Sequence, residues 1–253
     1  MSRLKRPEDI EAMARAGRII GTLFQEVPAE ILPGATTADV DRFAEEFIRS
    51  HDGAVPAFKG LYGFPASVCA SVNHEVVHGI PSAYRALSEG DIITVDVGVR
   101  LDGWYADSAV TFPVGEIDGD TERLLDITRG ALGRAIEAAT VGNRLGDIGH
   151  AVQSFAEEAG FSVVRELVGH GIGREMHEDP QVANFGQPGR GEKLEEGMVL
   201  AIEPMINAGT SAVRTLPDRW TVVTADHRRS AHFEHTVAIT ASGPRVLTSS
   251  NGG

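Results

Sequence analysis

Two aspartates embedded in one apolar, strand-like stretch constrain the fold of this chain more than any other feature. Val95-Asp96-Val97-Gly98 and Trp104-Tyr105-Ala106-Asp107 lie within residues 92–112, a run rich in β-branched residues. Leu101-Asp102-Gly103 reads as a tight turn. A hairpin closed about the midpoint of Leu101 and Asp102 puts Asp96 and Asp107 opposite each other on one face, Cβ atoms about 5 Å apart. A bulge at Gly103 would shift that register by one. Two carboxylates facing each other in an apolar sheet repel, and burial strengthens the repulsion. Either one is protonated, or a basic side chain pairs them, or a cation lies between them. The strands carry no Lys or Arg of their own, Arg100 falling in the turn, so a divalent cation is the natural counter-charge.

Three more segments repeat the anomaly. Leu200-Ala201-Ile202-Glu203-Pro204-Met205 puts an acid in an apolar strand, and Pro204 marks a strand end or edge. Phe233-Glu234-His235-Thr236-Val237-Ala238 puts another in a β-branched run. In Val168-Gly169-His170-Gly171-Ile172-Gly173 a histidine sits between glycines that let the backbone bend and approach closely; a lone histidine is more often structural. His177 follows seven residues later. Asp96, Asp107, Glu203, Glu234 and His170 form a hard, oxygen-rich donor set suited to manganese, iron(II), cobalt or zinc, and too rich in carboxylate for a structural zinc. That much negative charge suits two ions better than one. Such a pair lowers the pKa of a shared water and clamps an attacked carbonyl, which points to a hydrolase.

Other chemistries fit poorly. His74-Glu75 followed by His78 keeps a zinc-protease spacing, but Val76, Val77 and Ile80 favour a strand, on which the two histidines stand about 13 Å apart. Cys69 is the only cysteine, in an apolar context that favours inert packing; one cysteine allows no internal disulfide and suggests a reducing compartment. No Gly-x-Ser-x-Gly elbow occurs, and the glycines at 169, 171 and 173 have the wrong spacing for a phosphate loop. A formal net charge of −13 opposes a nucleic-acid or anionic-membrane partner. No apolar run is long enough to span a bilayer, and no signal peptide is evident, so a cytoplasmic protein is expected.

The elements run as two helices followed by strands, twice over. Pro7 suits the first position of a helix, with Glu8 and Asp9 in its first turn. Ile10, Met13, Ala14, Gly17, Ile20, Phe24 and Val27 recur at helical spacing. A second helix begins near Thr36 or Thr37, burying Val40, Phe43, Ala44, Phe47 and Ile48. Helices over 121–139 (Leu124, Ile127, Leu132 and Ile136 inward) and 145–159 (Ile148, Val152, Phe155 and Ala156) open the second half. Strands are expected over 67–80, 92–112, 162–168, 199–206, 221–224 and 233–240. Phe43-Ala44-Glu45-Glu46 and Phe155-Ala156-Glu157-Glu158 are an echo too short to prove a repeat; the element order is the better sign. It predicts one α+β domain over residues 1–253, made of similar halves of about 1–115 and 116–253. Helices should lie outside a mainly antiparallel sheet, with a site between the halves.

Taken together, the ligand segments, with Ser71-Val72-Asn73, His78-Gly79-Ile80-Pro81 and Met176-His177-Glu178-Asp179-Pro180-Gln181-Val182, resemble type I methionine aminopeptidase across nearly the whole chain. The resemblance implies the pita-bread fold, its sheet curved, and removal of N-terminal methionine from nascent polypeptides when the second residue is small. It implies that Asp96 and Asp107 bind one ion, that Asp107 and Glu234 bridge to a second, and that His170 and Glu203 complete that second site. Glu203 would be the general base, His177 would bind the carbonyl oxygen, and His78 would contact the scissile amide. Phe58, Leu61, Phe64, Cys69, Met176 and Trp220 would wall the methionine pocket, each also readable as ordinary core. Leu61 and Phe64 depart from the hydroxylated aromatics often found there. The resemblance also allows a sodium or potassium ion near Asn73, Glu75 and Ser230, leaves room for ribosome docking, and implies a monomer. Only 30 residues separate Glu203 from Glu234, too few for the insertion of type II enzymes. Two other readings stand beside it: a proline-specific aminopeptidase of the same fold, and a non-catalytic binding module with a degenerate metal site.

Overall fold

The computed structural model describes residues 4–250. Helix α1 (Pro7–Glu26) starts with Pro7 where a missing N–H costs nothing, and Asp9 accepts the Arg6 backbone N–H at 3.1 Å. Thr36 caps α2 (Thr37–Arg49): its Oγ1 accepts from Asp39 N, and Asp39 Oδ2 accepts from Thr36 N. Strands β1 (Ala54–Pro56), β2 (Val68–Val72), β3 (Glu75–Val77), β4 (Ile92–Leu101) and β5 (Trp104–Pro113) follow. Helices α3 (Gly119–Ala138) and α4 (Leu145–Glu158) come next. The chain then forms β6 (Ser162–Val163), β7 (Gly169–Gly171), β8 (Glu178–Val182), β9 (Val199–Ile202), β10 (Met205–Asn207) and β11 (Val213–Thr215). Last come β12 (Val222–Thr224), β13 (Ser230–His232), β14 (His235–Thr240) and β15 (Gly243–Val246).

Among the described residues every strand pair is antiparallel, as expected, but the strands form four ladders rather than one unbroken sheet. In the first, β4 pairs with β1, β2 and β5; its Ile93, Val95, Val97 and Val99 join Ile20, Leu23, Val40 and Ile48 of α1 and α2 in one apolar core. A second core packs α3 and α4 against β9, β14 and their neighbours. The expected inward residues of α3 all pack on this core, to different depths. Leu124, Leu125, Ala131, Leu132 and Ala135 are buried, while Ile127 and Ile136 are only half covered. Small residues on this helix let α4 approach closely; a Cβ on Gly130 would stand 2.7 Å from the Phe155 ring.

The expected strands break where the chemistry is. The 67–80 stretch turns at Asn73 (φ 58°), so His74 lies in a turn and His78 (φ 60°) just past β3. Pro204, which has no N–H to give a ladder, ends β9 and leaves Glu203 in the gap before β10. Glu234 likewise falls between β13 and β14. There it leaves its own ladder and pairs across to the first sheet, its backbone N donating to Ala109 O at 2.9 Å. Side chains extend that seam: Thr236 Oγ1 accepts from Asp107 N and donates to Asp107 O, and Thr111 Oγ1 donates to His232 O. The two acids therefore stand beside strand ends, with the first sheet stitched through β5 to β13 and β14.

That stitch predicts a measurable cost. Thr236 is fully buried, so Thr236→Val keeps its shape but strips both hydrogen bonds from the Asp107 backbone. Urea unfolding of the metal-free protein should show a loss of about 1–3 kcal/mol, with Thr236→Ser closer to wild type; an unchanged midpoint for the valine variant would contradict the role of the seam.

Candidate active site

The β4–β5 hairpin turns through Asp102 (φ 52°) and Gly103 (φ 75°), the two positive-φ positions of a type I′ turn. Leu101 pairs with Trp104, so Asp96 faces Ala109 and Asp107 faces Gly98. This corrects the direct opposition of Asp96 and Asp107: the turn is centred one residue later. Because the register sum changes by two, both acids keep the same face, away from α1 and α2, as a diagonal pair. Their direct partners, Ala109 and Gly98, leave room for the carboxyl groups to meet.

The second half brings the remaining donors to this face. His170 lies on β7 between glycines whose absent side chains are required: a Cβ on Gly169 would stand 2.3 Å from Ala201 O, and one on Gly171 2.2 Å from Asp179 O. His170 Nδ1 lies 2.9 Å from the carbonyl oxygen of Gly171, to which it donates as the Nδ1–H tautomer, leaving Nε2 free as a ligand atom. That Nε2 is 3.8 Å from Asp107 Oδ2 and 3.7 Å from Glu203 Oε1. Ligand atoms of Asp107, His170 and Glu234 lie within 4.8 Å of one another. Donors sharing one ion stand about 3–4 Å apart, given bonds of about 2.1 Å.

Burial pushes the carboxyls of Asp107, Glu203 and Glu234 well above the usual carboxylate range, and the neighbouring acids push further. Asp96 is raised by burial too, against the lowering effect of its hydrogen bond with the Asp107 carboxyl. Burial, reinforced by His177, pulls His170 down to about 4. Among the described residues, Asp96 Oδ1, Asp107 Oδ1 and Glu234 Oε1 are buried without a hydrogen-bond partner, a costly state for carboxyl groups. No Lys or Arg forms an ion pair with these acids among the described residues; their ion-pair partners are His170 and His232. The orphaned oxygens and the carboxylate–imidazole donor set fit divalent ions.

A cavity of about 250 Å³ opens onto the cluster. Phe58, Leu61, Phe64, Cys69 and Trp220 form its apolar wall, and Asp96, Asp107, Glu203 and Glu234 lie along its polar side with His78, His170 and His177. Met176 is not part of that lining. It packs behind it, its Cε where a Cβ on Gly98 would be, beside the Phe58 ring. A larger cleft of about 930 Å³ shares His78, Asp96, His170, His177 and Glu203 and extends along Val77, Leu167 and Met205. The His170 and His177 rings meet edge to face at 4.4 Å, and His78 lies edge-on to Trp220 at 6.4 Å.

Two residues at the site were not foreseen. Tyr62, 74% exposed at the cavity mouth, stacks near His177 at 5.8 Å; nothing in its local sequence distinguishes it from a loop residue. His232 is fully buried with its Nε2 3.9 Å from Glu203 Oε2 and 3.9 Å from Glu234 Oε2. Its spacing was a signal: in extended chain, residues 232 and 234 share a face.

Comparison with known proteins agrees with this geometry. Residues 11–241 match the model of metallopeptidase family M24. A methionine aminopeptidase of Clostridium perfringens is 55% identical over 97% of this chain and 98% of its own length. Methionine aminopeptidase 1 of Bacillus subtilis is 50% identical over 96% and 98%. The crystal structure of methionine aminopeptidase from Thermotoga maritima superposes with a TM-score of 0.96 at 46% identity, covering 98% of this chain and all of that one. The chain belongs to metallopeptidase family M24, with the pita-bread fold of its methionine aminopeptidases.

Metal should compete with protons here. The acids have raised pKa values, so ligation must displace protons, more of them as pH falls. Metal-induced stabilisation, read as the rise in Tm on adding manganese(II) to chelator-treated protein, should be larger at about pH 7.5 than at about pH 5.5. A rise independent of pH would contradict the assignment of these acids as ligands.

Proposed function

We propose that this protein removes the N-terminal methionine of peptides and nascent proteins whose second residue is small. The observation that carries this is the adjacency of an apolar-walled cavity to a cluster of three buried acids, the partly buried Glu203 and three histidines. An unbranched thioether fits such a wall, and the peptide bond following it falls among the polar groups. The full-length likeness to methionine aminopeptidases supports the same reading.

Asp96 and Asp107 are read as ligands of one divalent ion. Asp107 and Glu234 would also hold a second ion, together with His170 and Glu203; manganese, iron(II), cobalt and zinc all suit the set. When bound, such ions lower the pKa of a water and polarise the attacked carbonyl. Glu203, whose pKa is raised by burial and then by Asp96, takes a proton and passes it to the departing amine. Burial lowers the pKa of His177, and burial together with His177 lowers that of His78, so both act as neutral N–H donors. His177 donates to the carbonyl oxygen, where charge develops, and His78 to the scissile nitrogen. Phe58, Leu61, Phe64, Cys69 and Trp220 hold the methionine side chain, with Met176 supporting Phe58 from behind.

The single catalytic unit is read as two halves, about 1–115 and 116–253, which the two apolar cores support. No described helix is long and apolar enough to cross a membrane. Action in the cytoplasm, as a monomer and near the ribosome, belongs to the same reading. A sodium or potassium ion near Asn73, Glu75 and Ser230 has one support: Asn73 and Ser230 lie side by side, Ser230 N donating to Asn73 O.

Glu203→Gln and His170→Ala should each lower methionine release at least about 100-fold while circular dichroism stays native; full activity in either would sink the assignment. On wild-type protein loaded with cobalt(II), Met-Ala-Ser should be cut at least about tenfold faster than Met-Arg-Ser, because a long side chain must pass between His78 and His177. Equal rates would refute that steric limit, and faster cleavage of Ala-Pro-Ser would favour a proline-specific enzyme.

A further inference from the structure

His232 closes β13 two residues before Glu234 and is 1% exposed. Neither ring nitrogen has a hydrogen-bond partner among the described residues. Buried imidazole nitrogens are ordinarily satisfied, so this ring calls for a partner that the apolar core does not supply. Among the described residues, the groups facing Nε2 at ion-pair range are Glu203 Oε2 and Glu234 Oε2, each at 3.9 Å. That is too long for a hydrogen bond but within reach of a small carboxylate rotation.

The two glutamates divide their oxygens in a consistent way. Glu203 turns Oε1 toward His170 Nε2, at 3.7 Å, and Oε2 toward His232. Glu234 turns Oε2 toward His232 and leaves Oε1 buried and unpaired. One oxygen of each is thus available to a metal ion, and the other faces the same imidazole. Carboxylates that ligate metals are generally themselves hydrogen-bonded, which fixes their orientation. Resting on the metal-centre reading above, we propose that His232 is a positioning residue of that centre. Its Nε2–H is shared by Glu203 Oε2 and Glu234 Oε2, which aims Glu203 Oε1 and Glu234 Oε1 at the ions. His232 acts through the two glutamates and is not itself a ligand.

Cobalt(II) binding tests this apart from turnover. Cobalt affinity, by competition with a chromophoric chelator, and the visible d–d absorption of the bound ion are measured for wild type and for His232→Ala, His232→Leu and His232→Gln. Removing a group that orients ligands costs roughly 10–100-fold in metal affinity, so the alanine and leucine variants should bind that much more weakly with the band pattern of wild type. Glutamine, whose amide N–H can stand in for Nε2–H, should restore affinity to within about threefold. If alanine does not fold, the comparison of leucine with glutamine decides, since both fill the ring's space and only one donates. Unchanged affinity in the leucine variant, or glutamine no better than leucine, would overturn the assignment. A band pattern altered as by loss of a nitrogen ligand would overturn it in favour of direct ligation. Wild-type protein that takes up no cobalt would overturn the metal centre and this assignment together; normal uptake in wild type with any of the preceding results overturns this assignment alone.

Discussion

The structure depends on one electrostatic constraint: four carboxyl groups held within an apolar interior, with no Lys or Arg ion pair among the described residues to balance them. Asp107 and Glu234 are 4% and 2% exposed, and burial is the leading reason that their pKa values rise. Charges of one sign at this density raise the free energy of the fold unless protons or cations neutralise them. The protein therefore carries a cost at this site that divalent ions bound there would offset, and the two flanking cores supply the stability against which that cost is set.

The fold meets the constraint by assembling the site from two directions. The first half contributes Asp96 and Asp107 on a rigid hairpin whose other face is packed by α1 and α2. The second contributes His170, Glu203 and Glu234 at a strand and at two strand interruptions, where side chains are freer to turn toward a shared centre. Thr236 and Thr111 then tie β5 to β13 and β14 through reciprocal hydrogen bonds, which fixes the two sets of side chains relative to each other. Rigid support of this kind is what a catalytic water needs, because small misplacements of the reacting groups are expensive.

Much of this was legible in the residues. Acids within β-branched runs mark a site because burying them unpaired is costly, and Pro7, Thr36 and the helical spacing of Ile10 to Val27 set α1 and α2 almost to the residue. The hairpin register was missed by one turn position. Two positive-φ residues at Asp102-Gly103 decide it, and backbone preference at an Asp-Gly pair outweighed symmetry about the acids. Ile127 and Ile136 do pack against the second core but stay partly exposed, because the deepest positions of α3 go to Leu124, Leu125, Ala131, Leu132 and Ala135. His232 and Tyr62 reach the site through tertiary contacts. For His232 the alternation with Glu234 was visible, but a single histidine beside an acid does not announce which way a strand will face.

The most direct test of the central claim is methionine release from Met-Ala-Ser by chelator-stripped protein titrated anaerobically with manganese, iron(II), cobalt and zinc. Release should be absent without metal, rise as metal is added, and disappear again on chelation. Folded protein that stays silent with every metal would contradict the claim, and the buried acids would then need another explanation.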